Sequence, residues 1–179
     1  MTDYSQLNKP PALNLALPEE SDAPALFALV QAERARLSKT LAWPPLIVRV
    51  EDSLANIRQN RLNFTTGRSA TYIIRWNGKI AGIVGFNTFN GTEAEIGYWL
   101  GSEFEGRGVM SEAVRALMDW YINTGRLDTF ILRCGVANKA SNRVAQRLGF
   151  DFYYCQPRGE KIGDSYVDHN VYRWQVKEG

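Results

Sequence analysis

The stretch Tyr98-Trp99-Leu100-Gly101-Ser102-Glu103-Phe104-Glu105-Gly106-Arg107-Gly108-Val109-Met110-Ser111-Glu112-Ala113 decides how this chain is read. A β-type run ends in a short glycine loop, and the loop opens directly into a helical pattern. Such a junction presents main-chain N–H groups without intrahelical partners at the positive end of a helix dipole, which suits a phosphate or pyrophosphate. Glycine is needed where the backbone must turn sharply and come close to the anion. Alone, a Gly-x-Gly loop is weak evidence, because any helix start that needs glycine for its turn looks the same. No Gly-x-Gly-x-x-Gly occurs, which excludes a dinucleotide fingerprint, and no Gly-Lys-Ser/Thr follows, which excludes a Walker A loop.

Working outward, Val109, Met110, Ala113, Val114, Leu117, Met118 and Tyr121 form a 3.6-residue apolar stripe that predicts a buried helix ending at Asn123-Thr-Gly125. Thr129–Val136 is β-rich. Asn138 to Phe150 reads as a second short helix, closed by Gly149. Upstream, Thr71–Trp76 and Ile80–Phe86 flank Asn77-Gly78, a strong hairpin signal, and Ala94–Leu100 follows as a third strand. Two earlier helices are expected, one after Ser21 and one from Ser53, separated by the breaker Trp43-Pro44-Pro45. Leu13, Leu15 and Leu17 alternate as a first strand, and residues 1–12 read as a loose N-terminal arm. The C-terminal part reads as a strand at Phe152–Cys155, a loop from Pro157 to Ser165 and a last strand from Asp168 to Val176. The expected organisation is an arm over 1–12 and one domain over 13–179, with an α+β (mixed α/β) fold. Its sheet is mostly antiparallel and flanked by helices. The run from Ala94–Leu100 through the long helix to Thr129–Val136 should be a right-handed βαβ unit.

Composition narrows the class. The chain has 179 residues, 45% hydrophobic and 22% charged, ordinary for a globular protein with a substantial core. A net charge of +2 is too small to argue for nucleic acid or an anionic membrane. No apolar run approaches the roughly 20 residues of a membrane span, and the N-terminus does not look like a signal peptide. A cytoplasmic location fits. Cys134 and Cys155 are most simply buried thiols. The last strand and the exposed aromatic residues are compatible with a homodimer.

The order of strand, phosphate loop, helix, strand, Asn138-x-x-Ser141 helix and Leu148-Gly149-Phe150 resembles the GNAT superfamily of acetyl-CoA-dependent N-acetyltransferases. Glu95-Ile-Gly97-Tyr98-Trp99-Leu100, Gly106-x-Gly108-x-Met110-Ser-Glu-Ala113 and Asn138-x-x-Ser141-Asn142 look like its Rim branch, which acetylates the N-terminal residue of ribosomal proteins. The strong resemblance spans about residues 70–155. It implies that the two parallel central strands splay, with acetyl-CoA lying in the opening. Gly106, Arg107, Gly108, Val109 and Met110 would cradle its pyrophosphate through main-chain N–H groups. Asn138 would bond the CoA arm, although a helix cap explains that residue equally. Glu103 stands where the family usually has Gln or Arg, a departure that matters little if backbone donors do the binding.

For the chemistry, the resemblance implies that Ser141 donates to the departing thiolate, since the helix carries no tyrosine after it. A main-chain N–H near Leu100 would hold the oxyanion. The attacking amine must also lose a proton. An α-amino pKa near 8 asks only for a modest base. Glu160 matches the Rim-type catalytic glutamate, with Glu95 as the competitor. The implied acceptor is a protein N-terminus, such as the N-terminal serine of the ribosomal stalk protein. A small amine (a polyamine, an antibiotic or an aminoacyl nucleotide) is the alternative, and a CoA-binding regulator without catalysis is the rival from another class. His169, the single histidine, lacks neighbours at metal-ligand spacing and reads as a packed or surface residue, so no metal is expected. Trp43, Phe86, Trp99 and Tyr166 are candidate walls of the acceptor pocket, with core packing as the default for each. Lys139, Arg143 and Arg147 could meet a CoA phosphate or simply be the helix's solvated face.

Overall fold

The computed structural model describes residues 3–177. In chain order the elements are β1 (Gln6–Lys9), β2 (Leu13–Ala16), α1 (Ala23–Leu37), α2 (Val50–Thr65), β3 (Ala70–Trp76), β4 (Lys79–Asn90), β5 (Glu93–Leu100), α3 (Val109–Asn123), β6 (Thr129–Gly135), α4 (Lys139–Arg147), β7 (Asp151–Ile162) and β8 (Ser165–Gln175). The eight strands form one sheet in the order β1-β2-β3-β4-β5-β6-β8-β7. Every neighbouring pair is antiparallel except β5 with β6.

That one parallel pairing positions the site. It runs only from Glu93–Ile96 against Thr129–Leu132. Beyond it, β5 continues to Leu100 and β6 to Gly135 without pairing to each other, so the sheet opens as a V. A bulge in β4 between Phe86 and Thr88 sits where β5 parts from β6, and a bulge bends and twists its strand. The extra residue, Asn87, lies flat on Gly97, where a Cβ would come within 2.6 Å of its side chain.

The two faces are covered separately. Val109, Ala113, Val114, Leu117 and Tyr121 of α3 pack with Tyr72, Ile74, Val84, Phe86 and Ile96 of the strands, and Ala145 of α4 joins them. On the other face Val30 and Leu37 of α1 pack with Ile47 and Trp99. Alternation along β5 therefore sends Tyr98 towards α3 and α4, and Trp99 towards α1.

The predicted hairpin is present, with Asn77 at φ 51° and Gly78 at φ 80° in the two-residue turn between β3 and β4. Three local readings differ from the structure. Residues 6–9 form strand β1 rather than a loose arm, and the Tyr4 ring stacks on Tyr121 at 4.3 Å. A four-residue, mostly exposed strand held by backbone bonds leaves no apolar alternation to detect. The expected loop from Pro157 to Ser165 is instead mostly strand, joined to β8 by a tight turn at Gly163, whose φ is 61°. The irregularity that suggested a loop is a bulge at Pro157–Gly159. Finally, Cys155 is exposed while Cys134 is buried, because β7 is an edge strand whose first half reaches past the core.

Candidate active site

The V between β5 and β6 holds a cleft of about 1510 Å³ that reaches both faces of the sheet. On the α3 and α4 side it is lined by Gly106, Gly108, Val109, Met110 and Ser141; on the α1 side by Trp43, Trp99, Glu95 and Glu160. Arg107 is exposed and does not line it, so its side chain stands outside the cradle while its main chain remains within the loop.

Gly106 and Gly108 take φ 76° and 73°, and nothing lies within 4 Å of a Cβ placed on either. Gly108 is the cap of α3, whose first-turn N–H groups follow at Val109, Met110 and Ser111. Left-handed backbone, open space and aligned donors together fit a bound pyrophosphate. The loop is held from below and behind. Phe104 is buried, Glu33 Oε1 accepts from the Ser102 N–H at 3.0 Å and its hydroxyl at 2.7 Å, and Arg36 donates to Glu33, Glu105 and the Leu100 carbonyl. Burial alone would raise the Glu33 carboxyl, but the bonds from Ser102 and Arg36 outweigh it and hold the group below its ordinary value. Replacing Gly108 with leucine should weaken acetyl-CoA binding by calorimetry at least about tenfold. A side chain there costs about 1–2 kcal/mol in left-handed backbone and projects into the open cradle. Unchanged affinity would remove the cradle assignment.

At the apex, the Gly101 N–H donates to the Ala81 carbonyl at 2.7 Å. Antiparallel ladders alternate, and Gly82 pairs with Leu100, so the N–H groups of Tyr98 and Leu100 turn away from β4 towards the gap. Facing them across the gap is Ser141. Its Oγ lies 2.8 Å from the Tyr98 hydroxyl and donates to Cys134 Sγ at 3.3 Å. Burial first, then the neighbouring Cys134, push the Tyr98 hydroxyl well up, with the Ser141 bond opposing. Burial also pushes the Cys134 thiol up to about 11, so it stays protonated at neutral pH and is ill suited as an acyl carrier. Tyr98 is the residue that sequence reading missed. No tyrosine follows Ser141 in α4, but β5 delivers one to the same place from 43 residues away, which no local spacing could reveal.

Asn138 caps α4, its Oδ1 accepting from the Ser141 N–H at 3.3 Å. This leaves its amide NH₂ as the end free to meet a ligand. Asn142 is buried and structural. Its NH₂ donates to Gly135 O and Asn138 O, and its Oδ1 accepts from Asn170 and the Tyr172 hydroxyl.

The carboxylates differ in their commitments. Glu95 is bound to Arg133, whose Nε donates to it at 2.5 Å while its Nη1 donates to Gln156 Oε1 at 2.6 Å. Glu160, on β7, has Oε2 3.5 Å from His169 Nε2. His169 is buried and lines the cleft, so of the packed and surface readings the packed one holds. Trp43 and Trp99 line the cleft with ring centroids 5.9 Å apart. Phe86 is core, and Tyr166 lies on the surface beneath Arg158. Arg143 and Arg147 reach the edge of the cleft, whereas Lys139 does not. Among the described residues, no group of three metal-ligating side chains assembles.

Residues 12–151 match the family model described as an acetyltransferase (GNAT) domain. The chain belongs to the GNAT acetyltransferase family. This GNAT protein is an acetyl-CoA-dependent acyltransferase, and the cradle described above is where its residues suit that cosubstrate. It is 31% identical over 163 residues to the ribosomal-protein-serine acetyltransferase of Escherichia coli K12, spanning 90% of this chain and 91% of that protein. Its fold superposes on MccE, the Microcin C7 self-immunity acetyltransferase solved with acetyl-CoA and AMP, with TM-score 0.94, 29% identity and coverage of 97% and 98%. It superposes on RimL, the ribosomal L7/L12 α-N-protein acetyltransferase solved with coenzyme A, with TM-score 0.92, 33% identity and coverage of 96% and 98%.

Proposed function

We propose that this GNAT enzyme acetylates the N-terminal α-amine of a protein, with a serine-initiated ribosomal stalk protein as the leading acceptor, in the cytoplasm where that acceptor and acetyl-CoA meet. One observation carries the mechanism. The opening in the sheet joins two chemically distinct faces, with Ser141 and Tyr98 on the α4 side and Glu160, His169 and Glu95 on the other. The cosubstrate supplies an activated acetyl thioester. The Leu100 N–H, turned into the gap, is placed to stabilise the developing oxyanion. Ser141 Oγ protonates the leaving sulfur as it takes a proton from the Tyr98 hydroxyl, and the proton shed by the amine returns through solvent in the cleft to restore the tyrosine. Glu160 accepts the proton of the amine, which attacks directly, so no covalent enzyme intermediate is needed. Glu95 serves as the structural partner of Arg133.

The charge of the cleft bears on the acceptor. Two of its three acidic lining residues are held by arginines, Glu95 by Arg133 and Glu105 by Arg36, while Glu160 has only the imidazole of His169 beside it. Lys39, Arg143 and Arg147 line it with no ion pair among the described residues. A polycation would meet one carboxylate without a cationic partner, Glu160, against those three cations, which weighs against a polyamine and suits an acidic peptide. The likeness to RimL and to the Escherichia coli enzyme supports the same acceptor class. A second reading, an aminoacyl nucleotide, draws on the likeness to MccE and on the Trp43–Trp99 pair in the cleft.

The test is a CoA-release assay against peptides beginning Ser, Ala or Met, whole ribosomal proteins, polyamines and a non-hydrolysable aminoacyl nucleotide. Turnover on the Ser peptide with a mass gain at the α-amine is expected. Turnover on the nucleotide alone would overturn the acceptor while leaving the cradle and the proton-transfer roles in place.

A further inference from the structure

We propose that His169 is a positioning residue for Glu160, using an N–H on Nε2 to aim the carboxylate at the amine. The inference rests on Glu160 being the base.

His169 is the chain's single histidine. It stands on β8 opposite Gly135 of β6 and Gln156 of β7, with strands on both sides, and it is 9% exposed. The two ring nitrogens have different surroundings. Nδ1 is sealed from solvent and has no hydrogen-bond partner. Gly159 covers it so closely that a Cβ there would lie 2.7 Å from Nδ1 and 2.8 Å from Cγ. Nε2 faces the cleft and lies 3.5 Å from Glu160 Oε2. A proton on Nδ1 would be an orphaned buried donor, whereas a proton on Nε2 has a carboxylate to meet. The favoured neutral tautomer therefore carries its hydrogen on Nε2. In that form the ring cannot take the amine's proton at Nε2; it can only hold the group that does.

The backbone of β7 is built around this contact. Between Gln156, opposite His169, and Glu160, opposite Val167, three residues face the single residue Asp168. This bulge places Arg158 at φ 53° and is tied down by the Arg158 N–H donating to Asp168 Oδ1 at 2.9 Å. Its last residue, Gly159, lies against the imidazole, and the next is Glu160. Simple packing of a buried histidine requires none of this. The 3.5 Å separation is long for a hydrogen bond, and contacts of this kind shorten once substrate fills a site and expels water.

Two side-chain amides separate the accounts. The NH₂ of glutamine falls near the position of Nε2, and that of asparagine near Nδ1, against Gly159. With the acceptor that turns over in the assay above, His169→Ala should lower kcat about tenfold, with KM for acetyl-CoA and acceptor within about threefold. His169→Gln should recover most of the loss and His169→Asn should not. The double variant Glu160→Gln/His169→Ala should be no slower than Glu160→Gln alone. Because there is one histidine, ¹⁵N NMR reads its tautomer without assignment, and the Nε2–H form is expected.

A wild-type kcat in His169→Ala with Glu160→Gln impaired would overturn the positioning role and leave Glu160 as base. Equal rescue by Asn and Gln, additive losses in the double variant, or an Nδ1–H tautomer would overturn it as well. A wild-type kcat in Glu160→Gln would overturn both the base assignment and this inference. If His169→Ala does not fold, the Gln and Asn pair and the NMR measurement still decide.

Discussion

Glu160→Gln is expected to lower kcat on a Ser-initiated peptide about 10²- to 10³-fold, with acetyl-CoA affinity unchanged within about threefold. The lower part of the range for general base catalysis applies because the amine needs only modest help. The loss should be greatest at low pH. Below its pKa of about 8 an α-amine is increasingly protonated, so a site without a proton acceptor depends on a shrinking free-base fraction. Above that pH the amine is already neutral, and the variant should approach the wild-type rate. The measurement is kcat against pH for both enzymes. Parallel profiles with similar maxima would remove Glu160 from the reaction and return the role to Glu95. Glu95, however, would have to act while held by Arg133 at 2.5 Å, which lowers its worth as a base.

Ser141→Ala is expected to reduce kcat about 10²-fold and to leave acetyl-CoA binding nearly intact, since the cradle residues are untouched. The Tyr98 hydroxyl, 2.8 Å from the lost Oγ, would remain near the leaving sulfur and blunt the defect. Burial keeps that hydroxyl protonated, so it retains a proton to give. Adding Tyr98→Phe should therefore deepen the loss well beyond Ser141→Ala, towards the upper range of about 10⁴-fold for removed acid catalysis. Single-turnover kinetics separate this from slow product release. Full activity in the double variant would mean that the thiolate leaves without protein assistance.

The parts legible in the sequence share a local cause. The α3 stripe from Val109 to Tyr121, the left-handed turn at Asn77-Gly78 and the cradle glycines at Gly106 and Gly108 each record a constraint within one element. Helical periodicity, a turn's φ values and close backbone approach are written in neighbouring residues. The illegible parts lack such a local record. β1 contributes backbone bonds and little apolar pattern. The bulge at Pro157–Gly159 reads as a loop because its proline and glycine break the alternation, and only pairing with β8 reveals it as strand.

The sequence by itself determined most of the order of elements, because glycine placement and hydrophobic period act over a few residues, and its motifs carried the resemblance that implied the family and the cosubstrate. The tertiary structure decided what meets what. It set Tyr98 against Ser141, Glu95 against Arg133 and Glu160 beside His169, the last putting a histidine that reads as a packed or surface residue into the wall of the cleft. Those meetings depend on strand register and on where β5 parts from β6. Both are set by bulges and cross-strand pairing between residues distant in the chain, so no window of sequence contains them.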